Sequence, residues 1–260
     1  MNDSIFVKRI NCWNNTKKIC NDRELPMKSI KITYKYEYYY KKYNKSNINF
    51  FNMDAIECGL MNGMNSLVLN LADDIFAGGC VNMGSGAQEE SLFRRTNYFQ
   101  SLLQELYPIK NNELIYSPDI SIIKTSEQTG WLPYNKNEEP TLSFIACPGI
   151  KYPETIIIDY ETWLNSEDSN ILKIKIKLII QTAVQFNHNT IIFGAMGCGA
   201  WRNPIKHVAL IFKEILQEYD GVILNYYFAI MNTTDENYII RNHNKDTRKT
   251  IEIFQEVFCL

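Results

Sequence analysis

Along the chain, short apolar runs alternate with longer stretches in which apolar positions recur every three or four residues. The runs SLVLNLA (66–72), LSFIACPG (142–149), TIIFGAMG (190–197) and VILNYYFAIMN (222–232) predict strands, and LIYSPDISIIK (114–124) a strand or strand pair. The run 222–232 is expected to close the sheet. Helical spacing predicts helices over 168–187 and 204–218, with Pro204 in the first turn of the second, and another over 246–258. Asp54 before AIECGLMNG reads as the N-cap of a short helix ending near glycine. A longer helix is predicted from about 86 to 106, with Leu92, Thr96, Phe99, Leu103 and Leu106 as its buried stripe. Uninterrupted runs such as TIIFGAM suit strands covered on both faces. The alternation therefore predicts a three-layer α/β/α domain.

The first fifty residues do not share this rhythm and read as an N-terminal extension of a single 1–260 domain. Within them YKYEYYYKKYNKSN (34–47) is rich in Tyr and Lys. Stacking and charge make nucleic-acid contact one reading of it. A strand followed by a turn at NKSN is preferred, because the whole chain carries a net charge of only −2. That balance also argues against general nucleic-acid or membrane binding. The 260 residues are 45% hydrophobic, enough for a core that needs no metal or disulfide staple.

Seven cysteines form no CxxC pair and the three histidines are far apart, which points to reduced thiols and no zinc centre. The opening MNDSIFVKRINCWNN lacks a signal-peptide core, and no run of about 18 apolar residues occurs. The expectation is an intracellular, cytoplasmic protein, with a nuclear location or a host cell for a viral source also open. It is expected to be a monomer.

Two predicted strands end in glycine-rich loops followed by helices, in VLNLADDIFAGGC and IIFGAMGCGAWRNP. Loop amides together with a helix N-terminus can cradle phosphate, and two such loops suit a diphosphate. Neither loop is a P-loop or a GxGxxG fingerprint. Ser85 and Gln88 have the spacing of a capping box, which would place Glu89 and Glu90 in a first helical turn. Helix capping alone would explain both acids, and Glu90 with Arg94 makes a favourable i,i+4 pair. Both effects lower a glutamate pKa, whereas a bound diphosphate with water excluded raises it.

The segment VLNLADDIFAGGCVNMGSGAQEESLFRRTNYF resembles the signature of the bacterial-type poly(ADP-ribose) glycohydrolases, GGG-x7-QEE. YSP in LIYSPDISIIK, FIACPG and FGAMGCGAWRNP resemble further family segments in the same order, over about residues 50–232. The resemblance implies a macrodomain-like fold with a mixed central sheet. It also implies hydrolysis of the ribose–ribose bond of poly(ADP-ribose), with ADP-ribose as product and no metal or other cofactor. Position by position, Glu90 matches the catalytic glutamate and Glu89 the neighbour that places the ribose. Gly78 and Gly79 match the loop near the scissile ribose, and Gln88 opens the QEE motif. Gly197, Cys198, Gly199 and Ala200 match the diphosphate loop, Trp201 an aromatic that is usually Phe, and Asn70 an asparagine at the site edge. Cys80 stands where the family has a third glycine. Were that position to need a positive φ, its Cβ would cost ~1 kcal/mol or more. Cys80 thus leaves open a reader that binds ADP-ribose without turnover. A third reading is a hydrolase of ADP-ribose attached to protein or nucleic acid. Cys80 as a nucleophile is disfavoured for want of a histidine nearby in sequence, and Cys198 is expected to pack rather than react.

Overall fold

The computed structural model describes residues 4–37, 39–63, 65–231 and 249–259. Asn232, His243 and the start of the last predicted helix at 246–248 lie outside the described residues. The strands are β1 (Ile30–Thr33), β2 (Asn47–Phe51), β3 (Ser66–Asn70), β4 (Glu113–Ser121), β5 (Thr141–Ala146), β6 (Thr155–Ile158), β7 (Glu161–Leu164), β8 (Thr190–Phe193) and β9 (Asn225–Ala229). The helices are α1 (Ile5–Asn21), α2 (Ala55–Met61), α3 (Gln88–Arg95), α4 (Ser166–Gln185), α5 (Ile205–Glu218) and α6 (Thr250–Cys259).

Seven strands form one mixed sheet in the order β1-β4-β5-β3-β8-β9-β2, and β6 with β7 form a separate hairpin. From β5 to β2 the neighbours are parallel, while β4 runs antiparallel to both β5 and β1. Side chains alternate across β3. Leu67 and Leu69 enter one core with α4, α5 and α6, and Val68 enters the other with α2, Leu92 and Phe93 of α3, and Trp13 of α1. All of β3 is buried, which accounts for its unbroken apolar run. The three-layer α/β/α expectation holds.

Four sequence expectations change. First, the described residues between Tyr34 and Ser46 form no strand; they lie between β1 and β2, which are at opposite edges of the sheet. Tyr36 and Tyr40 are exposed, and the Lys42 and Tyr43 N–H groups both donate to the Gly221 carbonyl, so the segment crosses the sheet end rather than joining it. Second, the run 222–232 does not close the sheet, because β2 pairs in register on the outer side of β9. Third, α1 has weak apolar periodicity and was not foreseen. It is started by the Ser4 side chain, which accepts from Val7 N–H, and it buries Cys12, Trp13, Thr16 and Cys20.

Fourth, the helix predicted to reach 106 stops at Arg95. Thr96 is extended, at φ −137° and ψ 170°. Its hydroxyl donates to the Leu92 carbonyl and accepts from Tyr98 N–H. The Arg95 carbonyl, a free helix-end acceptor, takes the Ile123 and Lys124 N–H groups. Cross-chain bonding therefore ends the helix where spacing alone would have continued it. The Asp54 cap is observed as expected, accepting from Ile56 and Glu57 N–H.

Candidate active site

The site lies beyond the carboxyl ends of β3 and β8, adjacent parallel strands, where ligands bind in open α/β sheets. The loop 71–87 leaves β3 and returns as α3, which aims Glu89 and Glu90 back at that loop. The expected capping box is absent: Ala87 is the N-cap, and no side chain bonds the helix start. Instead the Ser85 carbonyl accepts from Arg94 Nη1 at 2.6 Å. Gln88 binds the end of β3. Its Oε1 accepts from Leu71 N–H and its Nε2 donates to the Leu69 carbonyl, both at 2.7 Å. This two-point tether fixes where the first turn of α3 sits against the strand.

Glu89 is 3% exposed and bonded on both oxygens. Oε1 accepts from Asn70 Nδ2 and Gly78 N–H, each at 3.2 Å, and Oε2 accepts from Asp73 N–H at 2.7 Å. Burial raises its pKa to about 8 and Glu90 beside it adds to the rise, while the Asp73, Asn70 and Gly78 donors pull it down. The helix start was expected to lower it; loss of hydration outweighs that for a side chain this deep.

Glu90 is 6% exposed. Its Oε1 accepts from Cys80 N–H at 3.0 Å, and Oε2 has no partner. Gly79 lies against this carboxylate at φ +53°, where an added Cβ would stand 2.8 Å from Glu90 Oε1. At Gly78, with φ +79°, a Cβ would strike the Phe93 ring at 2.4 Å. Glycine is therefore required at both positions, by backbone conformation and by space. Cys80 is different. Its φ is −98°, so the third position of the motif imposes no left-handed strain, and the cysteine side chain is exposed.

The second loop follows β8. Gly197 has φ +70°, and a Cβ there would meet the Asn203 amide at 2.5 Å. Asn203 Nδ2 donates to the carbonyls of Ile150 at 2.6 Å and Gly197 at 3.1 Å, joining this loop to the one after β5. At Gly149 a Cβ would lie 2.8 Å from Gly197 N, so the two loops touch backbone to backbone. Cys198 is buried, its thiol directed at the Met196 carbonyl and its pKa pushed up by burial. Gly199 and Trp201 are half-buried and Ala200 is exposed.

The predicted residues thus form two groups. Asn70, Gly78, Gly79, Cys80, Gln88, Glu89 and Glu90 are linked by hydrogen bonds or direct contact, and Gly197 to Trp201 line the neighbouring strand end. Lys151, which sequence reasoning missed, bridges the groups. Its Nζ is 2.9 Å from Asp74 Oδ1, 3.5 Å from Asp73 Oδ2 and 5.7 Å from the Trp201 ring centre. Asn203 was missed as well, although the NP of the second motif contains it. Among the described residues no group of three or more His, Cys, Asp or Glu is placed to hold a metal ion. No described helix is long and apolar enough to cross a membrane.

Residues 26–125 match the family described as microbial-type PARG, catalytic domain, where PARG denotes poly(ADP-ribose) glycohydrolase. Comparison with curated protein sequences gives no match. Among solved structures, the poly(ADP-ribose) glycohydrolase of Thermomonospora curvata is similar at TM-score 0.75 and 18% identity, covering 97% of this chain and 100% of that one. The same enzyme bound to the inhibitor ADP-HPD gives TM-score 0.71 at 18% identity, with 96% and 99% covered. The Deinococcus radiodurans enzyme in complex with ADP-ribose gives 0.64 at 20% identity, with 85% and 88% covered. The chain therefore has the macrodomain-like fold of the bacterial poly(ADP-ribose) glycohydrolases, and its residues 26–125, which include both glutamates, carry the microbial-type family match.

Proposed function

We propose that this protein is a poly(ADP-ribose) glycohydrolase in which Glu90 is the general acid and base. The observation that carries the reading is the half-satisfied Glu90 carboxylate. One oxygen is fixed by the Cys80 amide, and the other is buried without a partner beside a glycine loop that a Cβ would block. A buried carboxylate oxygen without a partner is costly unless a ligand completes it.

In this mechanism protonated Glu90 gives its proton to the ribose oxygen that leaves, and the departing bond produces an oxocarbenium-like centre. The same carboxylate then takes a proton from the attacking water. The logic is that of glycosidases, with one carboxylate in both roles. Glu89, bonded on both oxygens, does not transfer protons; it locks the loop 70–78 and, with Asn70, shapes the ribose pocket. The amides of Gly197 to Ala200 hold the diphosphate, and Trp201 lines the ribose side. Positioning by these loops supplies much of the rate. The negative φ at Cys80 removes the conformational argument for a reader without turnover.

The test is release of ADP-ribose from labelled poly(ADP-ribose) by purified protein. Wild type is expected to release monomer, and Glu90→Gln to lose ~10²-fold or more while keeping its melting temperature. Polymer bound but not cleaved by wild type would sink the proposal in favour of a reader. Product from mono-ADP-ribosylated protein alone would favour the related hydrolase. The proposal includes a monomer of one domain in a reducing intracellular compartment, checked by light scattering, limited proteolysis and cell fractionation.

A further inference from the structure

Arg94 is 1% exposed, and among the described residues it makes no ion pair. Its spacing predicts a pair with Glu90, one turn earlier on α3, but the guanidinium bonds elsewhere. Nη1 donates to the Ser85 carbonyl at 2.6 Å, and Nε is buried without a partner. A buried cation is costly unless an opposite charge meets it. Arg95, the next residue, has two such partners in Asp54 and Glu57. Arg94 has none in contact, so its charge acts at longer range.

The charges that reach Arg94 come from three segments: Arg9 and the Cys12 thiol on α1, Glu127 in the turn 127–129, and Glu90 on α3 itself. Burial works against its charge and Arg9 adds to that, while Glu127, Glu90 and Cys12 favour it. Arg9 is neutralised, since its Nε and Nη2 donate to the two Glu127 oxygens, each at 2.9 Å. Its guanidinium covers Gly86, where an added Cβ would stand 2.5 Å from Nη1. Lys124 Nζ lies behind Cys12, donating to its carbonyl at 2.9 Å and to its sulfur at 3.5 Å. Glu90 is faced by Glu89 on its own helix and by Cys80 of the loop, which gives it the amide and keeps its thiol exposed. The strand β3 and the turn 81–83, also packed on α3, carry no charged residue, and Tyr98 of the turn 98–100 is coupled to Glu89.

We propose that Arg94 is a positioning residue of the reaction: its buried charge, held one turn from Glu90 by the Ser85 carbonyl, stabilises the Glu90 carboxylate as the proton leaves it. The inference rests on the function proposed above. No bond forms or breaks at Arg94. A direct ion pair would occupy Glu90 Oε2, the oxygen without a partner that meets the substrate in that mechanism. Holding the guanidinium on Ser85 keeps the charge near and leaves that oxygen free. The charge is in place before the reaction, so nothing has to reorganise when the carboxylate forms. The competing role is a peg that only ties the chain entering α3.

The test separates charge from tether. Gln and Lys can both donate to the Ser85 carbonyl, and only Lys keeps the charge. Cleavage of poly(ADP-ribose) is followed across pH for wild type, Arg94→Gln and Arg94→Lys. The first step needs protonated Glu90, so kcat falls where that proton is lost as pH rises. Removing a nearby cation favours the neutral acid and moves this alkaline limb to higher pH. Arg94→Gln is expected to raise the limb by about 0.5 pH unit or more and to lower kcat ~10-fold, with KM changed less than about twofold. Arg94→Lys is expected to keep the limb within about 0.2 unit of wild type. Glu127→Gln, in a half-buried pair, removes a negative charge near Arg94 and is expected to lower the limb by about 0.2 unit. It decides the question alone if Arg94→Gln does not fold. A limb unmoved in Arg94→Gln, an equal rise in Arg94→Lys, or no fall in Glu127→Gln overturns the inference. Polymer bound but not cleaved by wild type overturns the proposed function, whereas cleavage with an unmoved limb overturns this inference alone.

Discussion

Two residues of the glycine-rich motif have a different meaning once their backbones are seen. At Gly79 the positive φ and the nearby Glu90 oxygen both demand glycine, whereas at Cys80 neither does. Cys80→Gly is therefore expected to change turnover on poly(ADP-ribose) by less than about twofold, since only the N–H of this residue meets Glu90. A large rise in kcat would show that the exposed thiol hinders substrate. Glu89 predicts a pH dependence. Its pKa is raised from 4.5 to about 8, so the folded state binds the proton more tightly than the unfolded chain. The stabilising contribution is complete below pH 4.5 and is lost as pH rises toward about 8. Thermal unfolding followed from pH 4.5 to 8.5 is expected to show this decline, and Glu89→Gln to flatten it. The Asp–Glu-type expectation from the helix start has the opposite slope, so the sign of the slope decides between them.

At the scale of elements, α3 is the part that turns a turn-rich loop into a site, and both of its ends are held by tertiary bonds. Gln88 ties the first turn to the strand end of β3. At the other end Arg95, fully buried, pairs with Asp54 and Glu57 at the start of α2. Gln88→Ala is expected to lower stability by ~1–3 kcal/mol, because it leaves the Leu71 amide and the Leu69 carbonyl unsatisfied. It should also reduce activity more than its stability loss explains, through the altered aim of Glu89 and Glu90. Urea unfolding together with activity at a temperature where the variant is fully folded separates the two effects. Retention of full activity would show that the tether is only structural. The spacing Ser85-x-x-Gln88 puts Glu89 and Glu90 in the first helical turn, where they are found, but the N-cap is Ala87 and not Ser85. It misassigned the bond because capping boxes and strand tethers use the same residue types.

Across the whole molecule, the first fifty residues are part of the site's support rather than a separate cover. They supply both edge strands and α1, whose Trp13 donates from Nε1 to Asn82 Oδ1 at 2.8 Å and packs edge-on to Phe99. Asn82 lies two residues beyond Cys80, whose amide meets Glu90. Thr16 of α1 donates to the Arg94 carbonyl on α3 itself. Trp13→Ala is expected to cost ~3–5 kcal/mol of stability, read by chemical denaturation. Trp13→Phe keeps much of the packing and loses the bond to Asn82, so a fall in kcat with a smaller stability loss would place the effect on the loop. An unchanged kcat in the Phe variant would confine Trp13 to the core.

What the residues alone determined was the alternation of strands and helices, the two glycine loops, and the pairing of the first loop with Gln88-Glu89-Glu90. These are local signals: a buried strand is an apolar run, a tight turn needs glycine, and a motif keeps its spacing in the chain. What only the tertiary structure decided was everything set by contacts between distant segments. The edge position of β2, the end of α3 at Arg95, the Lys151 bridge and the proton affinity of Glu89 all depend on partners far along the chain. Spacing can place a carboxylate on a helix, but its desolvation and the amides that meet it exist only after the layers have packed around it.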